Sequence, residues 1–158
     1  MDYKESFIIF RVGGRNFATS VSNVLEVTEN KELSPLPGAP EYVSGIKKFR
    51  DGVIPIVNTI EKLEIEKQET SDKPNKYIVV FEIKVSSETK RFGALIDKVL
   101  SVGELNTSSV KVVDDIQDAM SPAPYIKGVI NSPQGFIYVL LPEFIFSKNE
   151  LQTIDNVL

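Results

Sequence analysis

The sequence predicts an all-β protein: two small β-barrels made by internal duplication, with short helical turns and one C-terminal helix. Three observations carry this. The stretch EYVSGIKKFRDGVIPIVN, residues 41–58, returns as PYIKGVINSPQGFIYVLL, residues 124–141. Tyr42, Gly45 and Gly52 answer to Tyr125, Gly128 and Gly135, each 83 positions further on. The apolar stretches are short and punctuated by Gly, Asn, Asp and Ser, the pattern of strands joined by tight turns. A handful of short strands cannot bury its faces as one flat sheet, and closing into a barrel removes exposed edges.

Taken in order, Phe7–Val12 reads as a strand that is nearly apolar on both faces. Gly13-Gly14 is a turn signal, and Asn16–Val21 returns as the second arm of a hairpin. Ser22 is placed to cap a single helical turn carrying Val24, Leu25 and Val27. Pro35, Pro37 and Pro40 fix an extended connector. Tyr42–Lys48 and Val53–Val57 form a hairpin across Asp51-Gly52, a pair suited to the positive φ of a type I′ turn. Pro55 cannot donate to a ladder, which predicts a sheet edge or a bulge there. Asn58 caps a short turn ending at Leu63.

Residues 64–76, EIEKQETSDKPNK, carry one apolar side chain and read as an exposed linker loop. The pattern then restarts. Tyr77–Val85 and Arg91–Ile96 flank the turn SSETK, and Lys98–Val102 parallels the earlier capped turn, with Val99-Leu100-Ser101-Val102 standing 75 residues after Val24-Leu25-Glu26-Val27. Val110–Val113 is a further short strand, residues 114–124 a loop, and Tyr125–Ile130 with Phe136–Leu141 the last hairpin. Ser147 and Glu150 have the spacing of a capping box, followed by Leu151, Ile154, Val157 and Leu158 at helical intervals. The expected organisation is one domain over 1–158: a first repeat at 7–63, a linker at 64–76, a second repeat at 77–146 and a helix at 147–158.

Composition limits what such a protein does. Its 158 residues, 42% hydrophobic and 25% charged, suit a soluble globular chain with a sizeable core. Phe136–Leu141 is among the longest apolar runs, far short of the roughly 20 residues that span a bilayer. The start, MDYKESF, lacks a basic-then-apolar signal, so a cytoplasmic location is expected. There is no Cys and no His, which removes thiolate chemistry, the usual zinc sites and Ser–His catalysis. A net charge of −4 disfavours a general role on nucleic acid.

Gly45 to Asn58, G-I-x-x-x-R-x-x-V-I-P-I-V-N, resembles the G-V-x-N-L-R-G-x-V-V-P-V-x-D signature of the CheW-like chemotaxis adaptor domains. Val24–Val27 resembles that family's V-x-E-I step, and Leu36–Tyr42 its I-P-x-A-P-x-F approach. Arg91–Asp97 looks like its V-G-L-x-V-D strand and Tyr125–Gly128 its Y-I-x-G. The resemblance runs in order from residue 7 to 146. It implies two five-stranded SH3-like β-barrels and a non-enzymatic scaffold with no catalytic residues, cofactor or metal. The implied partners are the cytoplasmic helices of chemoreceptors and the CheW-like regulatory domain of the histidine kinase CheA. The implied place is the cytoplasmic side of a membrane-associated receptor array, reached through partners without membrane insertion. Carried over residue by residue, the receptor-binding positions are Gly45 and Arg50, with Glu26 and Val24 nearby, at the groove between barrels. Arg50 is expected to pair with Glu26. Lys47, Lys48, Asp51 and Asn58 depart from the signature, which leaves a divergent relative with a specialised partner as the alternative.

Each of these residues also has a plainer reading. A turn arginine is ordinarily a solvated charge, and a strand glycine such as Gly45 or Gly128 ordinarily serves a bulge or packing. Asp114, Asp115 and Asp118 lack EF-hand spacing. Lys47–Arg50 is a small basic-aromatic cluster in an acidic chain, and Val110, Val112, Phe7, Phe10, Tyr77 and Phe81 read as core or seam. Two rival classes remain: a barrel enzyme or ligand carrier using Asp97 or Glu143, and an oligonucleotide-binding barrel.

Overall fold

A computed structural model describes residues 4–106, 111–112 and 123–158. Strands β1 (Lys4–Val12) and β2 (Arg15–Ser20) form the first hairpin, and β3 (Val24–Glu29), β4 (Val43–Phe49) and β5 (Gly52–Val57) follow. After the helical turn α1 (Thr59–Leu63) come β6 (Tyr77–Val85), β7 (Glu88–Ile96), β8 (Lys98–Asn106) and β9 (Lys111–Val112). The chain ends with β10 (Ile126–Ser132), β11 (Gly135–Leu140) and helix α2 (Lys148–Val157).

The strands form two curled sheets, ordered β8-β1-β2-β11-β10-β9 and β3-β6-β7-β5-β4. Each sheet draws on both halves of the chain. The β1–β2 hairpin of the first half joins the late strands of the second, and the β6–β7 hairpin joins β3, β4 and β5. The expectation that each half closes its own barrel is therefore replaced by an exchange of hairpins. The duplication survives the exchange in register. Ile8 pairs with Val102 as Val79 pairs with Val27, and Val139 pairs with Ala18 as Ile56 pairs with Gly93. The cross-strand rings Phe10–Phe17 and Phe81–Phe92, with centroids 6.0 and 5.3 Å apart, are the same pair made twice. Irregularities recur as well: β3 skips Leu25 where β8 skips Leu100, and β4 skips Ser44 where β10 skips Lys127.

Because neighbouring residues of a strand face opposite ways, each central strand feeds two cores. Ile78 and Val80 of β6 point into one barrel with Phe49, Ile54, Ile56 and Leu95. Phe7 of β1 points into the other with Ala18, Ile130, Ile137 and Val139. The alternate residues, among them Ile8, Phe10, Val12, Val79, Phe81 and Phe92, form the largest cluster, which is the seam between barrels. Phe10 and Phe81 are each 1% exposed, so the seam is a dry core.

Several local expectations shift. Val24–Val27 and Lys98–Val102 are strand rather than helical turn; a 3-10 turn at Val21–Asn23, capped by the Ser20 hydroxyl, precedes β3. The β-branched residues of these segments gain more from pairing with β6 and β1 than from one isolated turn. The positive φ of the β4–β5 turn falls on Arg50 (58°), not on Gly52, which instead pairs with Phe49. Pro55 lies in an inner strand and faces Ile46; pairing of β5 with β7 begins one residue later, at Ile56. The linker is tied down by its backbone: Gln68 N donates to Gly13 O, and Asn75 N donates to the Asp97 carboxylate at 2.9 Å. The Ser147 capping box on α2 forms in both directions.

Candidate docking surface

Gly45, Glu26, Val24 and Arg50 all belong to the β3-β6-β7-β5-β4 barrel. One row of paired residues runs around it: Glu26 to Val80, Val80 to Gly93, Gly93 to Ile56, and Ile56 to Gly45. Glu26 and Gly45 thus stand at one level on the two ends of the sheet. The connector after β3 closes the gap between them: Ser34 N donates to Ile46 O, and Ile46 N donates to Ser34 O, at 2.9 and 2.8 Å. This is what glycine does at position 45. A Cβ there would stand 2.6 Å from the Ser34 carbonyl oxygen. The backbone that comes close to Gly45 is the protein's own.

Val24, half-buried, packs toward the seam, while Glu26 is exposed. Arg50 sits at the tip of the β4–β5 hairpin, on the order of 15 Å along β4 from Gly45 at about 3.3 Å per residue. The expected pairing of Arg50 with Glu26 is not among the ion pairs of the described residues. The Arg50 guanidinium instead lies over the Phe49 ring, 5.0 Å from its centroid. Arg91 approaches the same ring at 6.0 Å and is bound to Glu82 at 2.8 Å. Phe49 is buried, so the basic-aromatic cluster presents cations and no free ring. Beside the tip, Ile46, Val53, Ser34, Glu32, Lys47 and Lys48 line a depression of about 320 Å³. Val53 is 48% exposed, and the Lys47 ammonium is held by the Lys31 carbonyl at 2.8 Å. The structure therefore sets Glu26 and Gly45 at one level on the two ends of the sheet, with Ser34 between them, and leaves Arg50 exposed at the hairpin tip.

Electrostatics elsewhere serve the fold. The buried Asp97 carboxylate accepts from Gly13 N at 2.8 Å and from Asn75 N, which fixes the linker to the first hairpin. Burial alone would push the Asp72 carboxyl up; bonding to Thr70 and Arg11 and the Lys98 charge hold it below the usual range. Glu150 behaves alike, with the Ser147 backbone N–H and Lys62 outweighing its burial. Asp97 is satisfied by backbone donors and Glu143 sits on a 3-10 turn, so neither gathers a reaction site. No group of three or more acidic side chains among the described residues is arranged to hold a metal ion. Asp114, Asp115 and Asp118 lie outside the described residues, as does Val110. No described helix is long and apolar enough to cross a membrane.

Two exchanged barrels with a packed seam and exposed rims define a binding module. The chain belongs to the CheW-like domain family, whose description matches residues 6–150. It is 26% identical to a chemotaxis protein CheW of Treponema pallidum over 156 residues, covering 99% of this chain and 90% of the relative. It is 25% identical to a chemotaxis protein CheW of Rhizobium meliloti over 143 residues, 90% of this chain and 88% of the relative. Its fold is that of the scaffolding protein TtCheW of Thermoanaerobacter tengcongensis, with a TM-score of 0.76 at 18% identity over 94% of this chain and 91% of that one. Membership places the chain among non-enzymatic chemotaxis adaptors.

Proposed function

We propose that this protein is a cytoplasmic scaffold that couples the helices of chemoreceptor tips to the CheW-like regulatory domain of the kinase CheA in a signalling array. Receptor helices would lie against the surface marked by Val24, Glu26, Gly45 and Arg50, with Glu26 and Arg50 making direct contacts. Kinase and receptor bound to one rigid body share a coupling free energy, so a receptor's conformational bias changes kinase activity.

The observation that carries this reading is Arg50. A side chain in the left-handed region costs about 1 kcal/mol, which a glycine there would avoid. Arg50 adopts φ 58° and is exposed at the tip of the β4–β5 hairpin, with its guanidinium 5.0 Å from the centroid of the Phe49 ring. A strained, pre-positioned donor fork suits recognition of a carboxylate or a carbonyl on a partner helix. Gly45 contributes by admitting Ser34, which shapes the surface rather than touching the partner. Arg50→Ala and Glu26→Ala should each weaken receptor pull-down severalfold while leaving thermal unfolding within about 2 °C of the parent, as expected of exposed charges. Wild-type pull-down from both variants would refute this assignment. A specialised partner is the second reading, favoured by the exposed Lys48 and Asp51 on either side of Phe49 and Arg50.

A further inference from the structure

The internal two-fold makes two equivalent grooves, and among the described residues a helix, α2, fills one of them. On the filled side, the groove is walled by Phe92, Tyr42, Phe146 and Lys90. The rings of Tyr42 and Phe92 lie 6.1 and 5.0 Å from that of Phe146. Helix α2 presses Ile154, 2% exposed, into the same cluster, with Leu151 packed against it. Two ion pairs hold the helix: Asp155 to Lys90 at 2.7 Å, and Glu150 to Lys62 at 3.2 Å.

The register equivalence carries these positions to the other side. Phe92 becomes Phe17 and Lys90 becomes Arg15, each 75 residues earlier; Tyr42 becomes Tyr125 and Phe146 becomes Leu63, each 83 apart. Backbone bonding agrees: Asn58 N donates to Tyr42 O as Leu141 N donates to Tyr125 O, both at 2.7 Å. Arg15, Phe17, Leu63 and Tyr125, with Ile65 and Tyr138, line a cleft of about 550 Å³ among the described residues. Among the described residues no helix lies there: Glu64, at φ 52°, ends α1, and the linker turns off toward Gly13. Of the linker, Ile65 and Glu66 stay at its edge, and the Glu66 carbonyl accepts from Arg15 Nε at 2.8 Å.

We propose that this open groove is a second docking site, which takes a short acidic amphipathic helix of a partner protein. The filled groove states what the occupant carries. It needs apolar side chains spaced as Leu151 and Ile154 are, and a carboxylate placed like that of Asp155 to meet Arg15. Aromatic walls match that chemistry in apolar surface, and Arg15 supplies the cation at the rim as Lys90 does on the filled side, with Glu66 beside it and Glu64 near Tyr125. The inference rests on the internal symmetry and not on the receptor and kinase reading, so either stands if the other fails.

The probe is a synthetic peptide of residues 147–158, titrated into the full-length isotope-labelled protein and followed by amide chemical shifts. The expected result is saturable shifts at Phe17, Ile65, Tyr125, Ile126 and Tyr138, with a Kd on the order of 1 mM or tighter. Arg15→Glu should weaken binding at least tenfold, and a peptide carrying Asp155→Arg should restore it. Should Arg15→Glu fail to fold, Arg15→Gln with the unaltered peptide gives the same directional test. Shifts at Tyr42 and Lys90 instead would mean the peptide displaces the protein's own helix, and would overturn the proposal. So would an absence of saturable shifts. Dimerisation of the protein that Arg15→Glu abolishes would also overturn it, in favour of a second copy as occupant.

Discussion

Replacing Gly45 with alanine separates shape from contact. The new Cβ would lie 2.6 Å from the Ser34 carbonyl oxygen and 3.5 Å from Leu33 Cβ. A real carbon does not approach a backbone oxygen so closely, and Ser34 is pinned by two hydrogen bonds to Ile46. The connector must therefore move away and weaken both bonds. Overpacking of this kind costs about 1–3 kcal/mol. For a domain of this size each kcal/mol lowers Tm by roughly 2–4 °C, so the variant should melt about 2–12 °C below the parent. Thermal unfolding followed by circular dichroism measures this, beside a receptor pull-down at a temperature where both proteins are folded. A melting temperature unchanged within 1 °C would refute the argument that Ser34 occupies the space in front of Gly45. An unchanged melting temperature with lost pull-down would assign the glycine a direct role at the partner.

Further outcomes follow from the same geometry. Neither residues 1–63 nor 77–146 should fold alone, because each barrel borrows a hairpin from the other half; heteronuclear NMR of the fragments should show collapsed amide dispersion, and mixing chains cut within 64–76 should restore it. Gly93→Ala should destabilise by about 1–3 kcal/mol, because its Cβ would lie 2.6 Å from Ile56 Cδ1 and 2.6 Å from Ile78 Cγ2, inside a packed barrel; denaturant titration reads this. The β6–β7 turn places Ser86 and Ser87 at φ 49° and 66°, so the double change to Asn-Gly should stabilise by about 1 kcal/mol or more. Asp72 and Glu150 titrate below their ordinary range in the folded protein, so their stabilisation is present above the unfolded carboxylate pKa. It is lost as pH falls through their depressed folded values, and Asp72→Asn should flatten the acid limb of a Tm-versus-pH curve.

What the sequence made legible was local. Gly13-Gly14, Asn58 and the Ser147–Glu150 box each do what their chemistry requires, at φ 59° and 80° in the first case and with side-chain caps in the other two. The exchange of hairpins was not legible. Phe7–Val12 is apolar on both faces whether β1 pairs with β3 or with β8, so its pattern marks a strand buried on both sides and not which strand lies alongside. The turn after Phe49 departs from the expected Asp51-Gly52 position for a related reason. Asp-Gly is a strong turn pair, but register with β5 set the hairpin one residue earlier and put Arg50 in the left-handed position. Residues 64–76 looked loose because their side chains are polar, whereas what holds them is main-chain bonding to Gly13 and Asp97, which composition does not report. Of the site, the identities of Glu26, Gly45 and Arg50 came from resemblance. That Gly45 answers to Ser34, and Arg50 to Phe49, came only from coordinates.

The coupling role itself is tested most directly by reconstitution. Receptor-bearing vesicles and kinase are sedimented with and without this protein, and kinase turnover is measured in the pellet. The account predicts that the protein enters the pellet, brings kinase with it and makes kinase activity respond to receptor ligand. Kinase left in the supernatant, with activity indifferent to the added protein, would contradict it.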